Sequence, residues 1–426
     1  MVFRPTRGDA PARIGPGVTP QHLSLTEEIS ADVYRDPIRY ELEVEHVLRA
    51  SWLIAGRSSE MPNDGDWITY EGHGDTVIVN RLANGAVAAF HNVCQHRGAR
   101  LTRGETSGCD RRFTCPWHGW VYDQTGDLVG VPERQDFDPA SLDGLRSPKV
   151  AAQEWGGWVW INMAGPLHAP PLESWIGEDI RTDLGRFAMQ DMILHEKIVV
   201  DLDVNYKTVV DGFNEVYHAF ELHHTGPAFA KAARETAFHL SGPNAMMFVP
   251  RPDRAEQLAA TGDHHGNTIC HYVIFPTSVF NNNPDQIQLF QSIPLGPERT
   301  RFITWELIYG PQTDDAPDVY ETYFAETMRR WDELKKVVAE DVFVFNELSA
   351  TRHSMAFQRN RFGRGEVKIA SYHRTMDHCI QGGSAMDRYA RIDDDHQDKL
   401  QGHNQGHNQS QNQGQNQGHN EDQPLT

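Results

Sequence analysis

Two short segments, each holding one cysteine and one histidine, constrain this 426-residue chain more than any other feature. The first runs from Cys94 to His96 and the second from Cys115 to His118, and each stands between runs of β-prone, aromatic sequence. Two cysteines and two histidines at such a spacing can bind zinc or an iron–sulfur cluster. Zinc sites usually pair like ligands, whereas each segment here supplies one of each kind. The pattern therefore favours a [2Fe–2S] cluster with thiolates on one iron and imidazoles on the other.

The sequence around these ligands reads CQHRGARL and CPWHGWVYD, and both segments resemble a Rieske [2Fe–2S] domain. The Rieske proteins of respiratory chains carry an additional cysteine beside each segment, and the two form a disulfide. The corresponding positions here are Ala99 and Trp117, so the resemblance is to the lower-potential clusters of ferredoxins and oxygenases. Cys109, the one competing thiol, lies in a predicted exposed turn. The resemblance implies four cluster ligands: Cys94, His96, Cys115 and His118.

A second group of candidate ligands lies in residues 205–227, NYKTVVDGFNEVYHAFELHHTGP. His218 and His223 are five positions apart, which is about 140° of rotation on an ideal helix, so they would not share a face. They can reach one metal only if the predicted helix distorts or ends between them. His224 is a rival on geometry alone. Two histidines and a carboxylate from elsewhere form the facial triad of non-haem Fe(II) oxygenases.

This segment resembles the mononuclear-iron motif of the Rieske non-haem iron oxygenases, N-[WY]-K…E-x-Y-H-x4-H. The resemblance implies that His218 and His223 bind iron and that His224 does not. It also assigns Glu215 as the bridging carboxylate, which in this family connects an iron ligand of one subunit, here His218, to a cluster ligand of the next subunit, here His118. Aspartate is common at the bridging position, so the glutamate is a variant.

The third iron ligand is expected far along the chain, in the sequence VVAEDVFVFNEL near the end of a long predicted helix. The resemblance points to Asp341, and Glu340 is the close rival. Without the two upstream motifs, both carboxylates would be interpreted as solvated charges on a helix surface.

The two motifs together resemble the large α subunit of a Rieske oxygenase over about residues 38–385. The resemblance implies an α+β chain in which an all-β Rieske domain follows a short helical arm. A catalytic domain of helix-grip type, with a sheet wrapped around a long helix, completes the chain. The predicted divisions are an N-terminal arm at 1–36, the Rieske domain with its leading helix at 37–168, the catalytic domain at 169–390 and a disordered Gln/Asn/Gly/His tail at 391–426.

The implied activity is that of a terminal oxygenase that uses O₂ and a [2Fe–2S] cluster together with mononuclear Fe(II). The chain shows no flavin or NAD motif, so a separate NAD(P)H-driven flavin reductase, a ferredoxin or both would supply the electrons. The resemblance also implies a homotrimer in which cluster and iron face each other across subunits, with an accompanying β subunit left open. The hypothesis from a different class is an electron-transfer protein whose iron site is inactive.

The substrate is less constrained than the chemistry. Monohydroxylation, cis-dihydroxylation and oxidative demethylation use the same iron ligands, so the sequence does not separate them. Apolar residues expected near the pocket suit an aromatic or other hydrophobic molecule, although most of them could equally be ordinary core residues. A quaternary-ammonium compound is the alternative and would need an aromatic cage. The candidate pocket residues are Phe220, Phe229, Phe238, Met246, Met247, Phe248, Phe275, Phe280 and Phe290.

Composition excludes several other classes. The chain has 39 basic and 59 acidic side chains, so its formal charge of −20 makes binding to nucleic acid or to anionic membranes improbable. No apolar run approaches the roughly 20 residues that a membrane span needs. Five cysteines are too few for a disulfide scaffold, and the N-terminus lacks the apolar segment of a secretory signal. The sequence therefore predicts a cytoplasmic protein.

Overall fold

The structure, a computed structural model, describes residues 28–283, 285–311 and 317–389. Strand β1 (Glu28–Ser30) leads into helix α1 (Pro37–Glu43), which continues as a π-helical turn, Val44–Leu48. The Asp36 side chain caps α1 by accepting a hydrogen bond from the Ile38 amide. The sequence from Pro37 to about Ala55 has the apolar pattern of one amphipathic helix, but that helix would be too long, because the chain enters a strand at Leu53. Residues 1–27 of the predicted arm and the whole predicted tail, residues 391–426, lie outside the described residues.

The first β unit contains ten strands and one short helix. A seven-stranded antiparallel sheet has the order β2-β11-β10-β5-β4-β3-β6, and β7, β8 and β9 form a separate sheet. The predicted Asn84-Gly85 hairpin connects β4 and β5, with Gly85 at φ +83°. Its elements are β2 (Leu53–Arg57), β3 (Asp66–Gly72), β4 (Asp75–Arg81), β5 (Val87–His91), β6 (Ser107–Cys109), β7 (Arg112–Thr114), β8 (Val121–Asp123), β9 (Leu128–Gly130), α2 (Pro139–Leu142), β10 (Lys149–Trp155) and β11 (Trp158–Asn162).

The second unit is a long curled sheet with helices. Its seven strands follow the order β12-β18-β17-β16-β15-β14-β13, all antiparallel. Its elements are α3 (Leu172–Ile176), α4 (Glu178–Gly185), β12 (Met192–Leu202), α5 (Tyr206–Gly212), α6 (Ala219–Leu222), α7 (Gly226–Arg234), β13 (Ala237–Ser241), β14 (Asn244–Pro250), α8 (Ala255–Thr261), α9 (His264–Asn267), β15 (Thr268–Ile274), β16 (Ser278–Asn283), β17 (Gln286–Gly296), β18 (Arg299–Tyr309), α10 (Pro317–Thr351), β19 (Arg359–Arg361) and α11 (Val367–Ile380).

The long helix α10 lies across one face of this sheet, as the helix-grip prediction requires. Phe213, just after α5, stacks on Phe290 of β17 at 4.3 Å and contacts Phe302 of β18 and Phe345 of α10. The sheet, α10 and the segment after α5 therefore share one layer of buried rings, which positions that segment. This arrangement confirms the predicted α+β fold.

The two units share a continuous core. Trp158 of β11 is fully buried, and its ring meets the edges of Phe280 and Trp305 from the second sheet at 5.9 and 5.3 Å. Arg57 lies 4.8 Å from the centre of the same indole ring and donates hydrogen bonds to the carbonyls of Met189 and Met192. Large aromatic surfaces removed from water in this way hold the two units against each other.

Residues 28–48, which we call the N-terminal strap, contact the second unit although they precede the first. Strand β1 pairs with β19 near the other end of the described chain. The Tyr34 hydroxyl donates to Asp211, at 2.6 Å, and the buried Glu43 carboxylate forms an ion pair with Lys207. The helix predicted to lead the Rieske domain therefore also packs on the catalytic unit. The predicted domain boundaries stay predictions.

No helix within the described ranges combines the length and the apolar character that a membrane span requires.

Candidate metal centres

The first candidate centre lies where two loops of the β unit meet. Cys94 and His96 are in the loop after β5, and Cys115 and His118 are in the loop between β7 and β8. The Nδ1 atoms of the two histidines are 3.1 Å apart. Both cysteines are buried, at 2% and 3% exposure, while the imidazole rings lie at the surface. The four side chains predicted as cluster ligands thus converge, with sulfur inside and nitrogen outside.

Each loop is closed by a glycine in a left-handed conformation. The Gly98 amide donates to the Cys94 carbonyl at 2.9 Å, and the Gly119 amide donates to the Cys115 carbonyl at 3.1 Å. Gly98 has φ +78° and Gly119 has φ +71°, values that a side chain would disfavour. The glycines of CQHRG and CPWHG therefore fold each segment into a tight turn that presents its cysteine and histidine together.

Three aromatic side chains surround these turns. The Tyr122 hydroxyl lies 3.5 Å from Cys94 Sγ and accepts a hydrogen bond from the Gln95 amide at 2.8 Å. Trp120 stacks on His96, with ring centres 4.9 Å apart, and Trp117 stacks on His118 at 4.6 Å. The sequence assigned no role to Tyr122 or Trp120, although both belong to the CPWHGWVYD segment that identified the site.

Burial raises the pKa of the Cys94 thiol, and the nearby Cys115 adds to this effect, although Tyr122 opposes it. Two neighbouring buried thiols are costly to ionise unless a cation binds them, and thiolate ligands are ionised in an iron–sulfur cluster. With the two imidazoles at the surface, this donor set fits a [2Fe–2S] cluster. Cys109 is exposed in β6 and takes no part, and all five cysteines are free thiols.

The second candidate centre is built around a single helical turn. Helix α5 ends at Gly212, and the next helix, α6, spans only Ala219–Leu222. His218 immediately precedes α6, and His223 immediately follows it. The continuous helix predicted from Asn205 to Phe220 is therefore interrupted, which removes the geometric conflict between two histidines five positions apart.

His218, His223 and Asp341 converge from two distant parts of the chain. Asp341 Oδ1 lies 3.5 Å from His218 Nε2 and 3.2 Å from His223 Nε2. One donor atom of each residue lies within 4.8 Å of the other two. Asp341 is buried, at 4% exposure, and His223 Nε2 is buried without a hydrogen bond. Two imidazoles and one carboxylate in this arrangement fit a non-haem Fe(II) ion with open positions.

Each histidine of this group has a carboxylate on its other nitrogen. Glu215 contacts His218 Nδ1 and also accepts a hydrogen bond from the His218 amide at 3.2 Å. Glu340 Oε2 lies 2.7 Å from His223 Nδ1. A carboxylate that accepts the Nδ1 proton leaves Nε2 free to bind a metal and fixes the orientation of the ring.

The electrostatics of the group favour a cation. Burial disfavours the protonated form of His218, but Glu215 and Asp341 outweigh it and raise the pKa of this histidine. Burial likewise opposes protonation of His223, and Asp341 and Glu340 raise its pKa in spite of this. Both rings therefore sit in a negative field, which a divalent metal ion would neutralise.

The rival ligands are separated from the group. Glu340, the alternative to Asp341, contacts only the outer nitrogen of His223. His224 is exposed, has φ +50°, and does not join the three donors. The structure thus brings together the three residues predicted as iron ligands and leaves both rivals outside.

Two residues whose charges interact with those of His218 or Glu215 were missed by sequence reasoning: the half-buried His271 and the buried Lys368. His271 lies in the middle of β15, where burial and the nearby charges of Lys368 and His218 lower its pKa to about 3. Lys368 lies in the first turn of α11 and is 1% exposed. Neither belongs to a motif, and only the fold brings them near residues 215–223.

The apolar residues predicted to line a pocket fall into three groups. Phe229, Phe238 and Met247 form a small cluster with Ile269 and Val216, directly beside the iron-ligand segment. Phe220 is 44% exposed. The others belong to the main core: Met246, Phe248, Phe275, Phe280 and Phe290. The small cluster is therefore the part of the prediction that the geometry places beside the candidate iron site.

Comparisons with known proteins agree with both centres. Residues 51–147 match the Rieske [2Fe–2S] domain, and residues 189–382 match the catalytic domain of the ring hydroxylating alpha subunit. The chain is 26% identical to biphenyl 2,3-dioxygenase subunit alpha of Rhodococcus jostii (strain RHA1) over 354 residues, which are 71% of this chain and 73% of the relative.

Two solved structures show the same fold. Naphthalene 1,2-dioxygenase with indole bound has a TM-score of 0.68 at 18% identity, covering 87% of this chain and 96% of the other. A quaternary ammonium Rieske monooxygenase in complex with L-carnitine has a TM-score of 0.65 at 20% identity, covering 83% and 96%. At these identities the likeness is one of fold.

Proposed function

Because the chain belongs to the Rieske non-haem iron oxygenases, as a large catalytic α subunit of the ring-hydroxylating type, we propose that its two converging groups bind the two cofactors of that family. Cys94, His96, Cys115 and His118 hold the [2Fe–2S] cluster, and His218, His223 and Asp341 hold the mononuclear Fe(II). The observation that carries the second assignment is the convergence of three donor atoms within 4.8 Å from residues far apart in sequence.

The surrounding residues define what the protein contributes. When bound, the cluster supplies single electrons, and the ferrous ion supplies open coordination positions for O₂. Glu215 orients His218 through Nδ1, and Glu340 orients His223 in the same way. Asp341 brings a negative charge to the inner side of both rings. We assign Glu215 as the carboxylate that connects the electron path to the iron site.

Alpha subunits of this family form oligomers and receive electrons from a reductase and a ferredoxin. We propose a homotrimer in which the cluster of one subunit faces the iron of the next. Each centre has a large exposed aromatic side chain beside one of its histidines, since Trp117 is 53% exposed beside His118 and Tyr217 is 79% exposed beside His218. Exposed aromatic residues next to a redox centre suit a docking surface.

The proposed substrate is an aromatic or other hydrophobic small molecule that is hydroxylated or oxidatively demethylated. The cluster of Phe229, Phe238 and Met247 supplies an apolar wall beside the iron-ligand segment. The dioxygenase to which the chain is 26% identical is named for biphenyl, an apolar aromatic compound.

A quaternary-ammonium compound is the second candidate substrate. Such a cation binds to the faces of aromatic rings, and Phe229 and Phe238 are the aromatic residues of the small cluster beside the iron-ligand segment. One solved structure of the same fold holds L-carnitine. We further propose that the protein works in the cytoplasm, where its five cysteines, none of them in a disulfide, would stay reduced.

The test is a product screen by mass spectrometry with ¹⁸O₂, the purified protein, and a surrogate reductase and ferredoxin. The panel holds aromatic hydrocarbons and acids, aryl ethers, N-methyl compounds and quaternary amines. Two ¹⁸O atoms in a cis-diol would establish a ring dioxygenase. One ¹⁸O atom, or release of formaldehyde, would establish a monooxygenase or demethylase. Turnover of the quaternary amines alone would replace the first candidate by the second.

Iron content separates the oxygenase from an electron carrier with an inactive iron site. An oxygenase should bind about three iron atoms per chain, two in the cluster and one mononuclear, whereas a carrier should bind about two. We expect about three. A content of two in fully reconstituted protein would contradict the proposed iron site.

A further inference from the structure

Lys368 is a buried lysine for which the proposed reaction has so far given no role. Its side chain lies in the first turn of α11 and is 1% exposed. Among the described residues, its ammonium group has no hydrogen-bond partner. Burial lowers its pKa to about 7, and Glu215 is the residue whose charge opposes that shift. The chain thus keeps a costly buried lysine whose charge interacts with that of Glu215, the carboxylate that contacts His218.

Among the described residues, one other lysine is fully buried, and it shows how a structural lysine is accommodated in this fold. Lys207 forms an ion pair with Glu43, which is itself fully buried, and its ammonium also lies 4.5 Å from the centre of the Tyr206 ring. Its charge is compensated by direct contacts, as buried charges usually are. Lys368 has no such contact, so packing and pairing do not explain why a cation is retained there.

The surroundings of Lys368 place it behind the iron ligands. Burial lowers the pKa of His271 of β15, and the charges of Lys368 and His218 lower it further. Burial and the charge of Glu215 raise the pKa of Glu366, in the turn before α11, and His218 opposes this shift. Val367, the residue before Lys368, packs against the small apolar cluster that includes Val216. The segments that carry Glu215 and Lys368 therefore pack against the same apolar cluster, through Val216 and Val367.

We propose that Lys368 is a positioning residue for the bridging carboxylate, and that its buried positive charge holds Glu215 in the geometry that electron transfer to the iron site needs. The inference rests on the proposed function, because it assumes that Glu215 connects the two centres. Glu215 must accept hydrogen bonds from two imidazoles to do so, and a fixed cation behind it offsets the cost of confining its charge.

The experiment is a double-mutant cycle in the full-length, reconstituted protein. Lys368→Met keeps the length of the side chain and removes its charge, and Glu215→Gln removes the partner. The rate of cluster reoxidation in a single turnover reports electron transfer. We expect each single variant to slow it about 10- to 100-fold, as is typical for residues that support a metal ligand. The double variant should be no slower than Glu215→Gln, because the two residues act as one unit.

The second readout is the thermal unfolding of the protein after removal of the cluster and the mononuclear iron. Loss of an unpaired buried charge should leave the unfolding temperature of Lys368→Met at or above that of the wild type. Lys207→Met is the matched control and should unfold at a lower temperature, because it removes the buried ammonium that pairs with Glu43. Lys368→Gln repeats both measurements if the methionine variant folds poorly.

The outcomes separate the inference from the function on which it rests. Normal electron transfer in Lys368→Met, with slow transfer in Glu215→Gln, would overturn the role of Lys368 and leave the path through Glu215 intact. Normal transfer in Glu215→Gln would overturn both. Independent, additive slowing in the double variant, together with a lower unfolding temperature for Lys368→Met, would mark the lysine as a structural residue.

Discussion

Glu340 lies 2.7 Å from the Nδ1 atom of His223, on the opposite side of the imidazole ring from Asp341. These two carboxylates are neighbours in sequence and could not be ranked as metal ligands from sequence pattern alone. The helix separates them by rotation, so that Asp341 is buried against both histidines and Glu340 remains about half exposed. One therefore faces the metal site, and the other supports a ligand from behind.

Because the two carboxylates have different roles, their substitution should reduce iron binding by different amounts. Asp341→Asn should abolish binding of the mononuclear iron, because it removes a ligand charge. Glu340→Ala should weaken iron affinity only about 10- to 100-fold, since His223 keeps its Nε2 atom but loses its orienting partner. Metal titration of the iron-depleted protein measures both. Glu347→Ala, an exposed carboxylate on the same helix, is the control and should bind iron normally. Equal losses at positions 340 and 341 would contradict this assignment.

The two centres should be separable by substitution at His218. We expect His218→Ala to keep the visible absorbance of the cluster while losing the mononuclear iron and all turnover. The reason is that the cluster ligands lie in the first β unit, whereas His218 lies in the second unit. Absorbance spectra and iron analysis on one preparation check this. His224→Ala, which alters an exposed neighbour, should retain about three iron atoms per chain. Bleaching of the cluster in His218→Ala would show that the sites are wrongly assigned.

The Tyr122 hydroxyl should raise the reduction potential of the cluster. A hydrogen bond to a ligand sulfur stabilises the reduced, more negative cluster, and this hydroxyl lies 3.5 Å from Cys94 Sγ. Tyr122→Phe should therefore lower the reduction potential of the cluster. A tenfold change in the one-electron equilibrium corresponds to a shift of about 59 mV. Redox titration followed by absorbance measures the shift. Tyr70→Phe, in the same β unit, serves as the control, and an unchanged potential in Tyr122→Phe would remove the hydroxyl from cluster tuning.

Glu306 should make stability depend on pH. It is fully buried in β18, where burial raises its pKa from 4.5 to about 9 although Gln288 and Arg330 partly oppose this. Between these values the folded state keeps a proton that the unfolded chain has lost, so stability falls as pH rises. The stabilising effect is complete below about pH 4.5. Glu306→Gln lacks the titration, so its stability relative to wild type should increase from pH 6 to pH 8 by up to about 1.4 kcal/mol per pH unit.

Urea unfolding of the wild type and Glu306→Gln at pH 6, 7 and 8 provides the measurement. A difference between the two proteins that stays constant over this range would show that Glu306 does not carry the raised pKa.

Local sequence was sufficient to predict the groups that depend on local geometry. The cluster turns were predictable because each holds its cysteine, its histidine and the closing glycine within a few residues, as Cys94 and Gly98 show. The group of three iron ligands was predictable only in part, because the fold of the whole catalytic unit brings Asp341 to the two histidines. Its selection over Glu340 came from a resemblance, and the structure adds the physical reason.

Other features could not be predicted because no local pattern carries them. The interruption of the helix after Gly212 is imposed by the layer of rings around Phe213, which belong to three different elements. Lys368 lies in an ordinary amphipathic helix, and its burial beside Glu215 becomes visible only when α11 is docked. Most candidate pocket residues proved to be core residues, because sequence does not reveal which face of a strand meets the iron site.

The pairing of β1 with β19 has a consequence for how the chain is made. The N-terminal strap is synthesised before both units, but its partners in β19 and α11 are among the last described residues to be synthesised. The β unit between them pairs mainly with itself, so it can fold and acquire its cluster during translation. The strap cannot complete its contacts with the catalytic unit until β19 and α11 have been made, and contacts so distant in sequence form slowly. Cluster insertion is therefore expected to precede completion of the iron site in every newly made subunit.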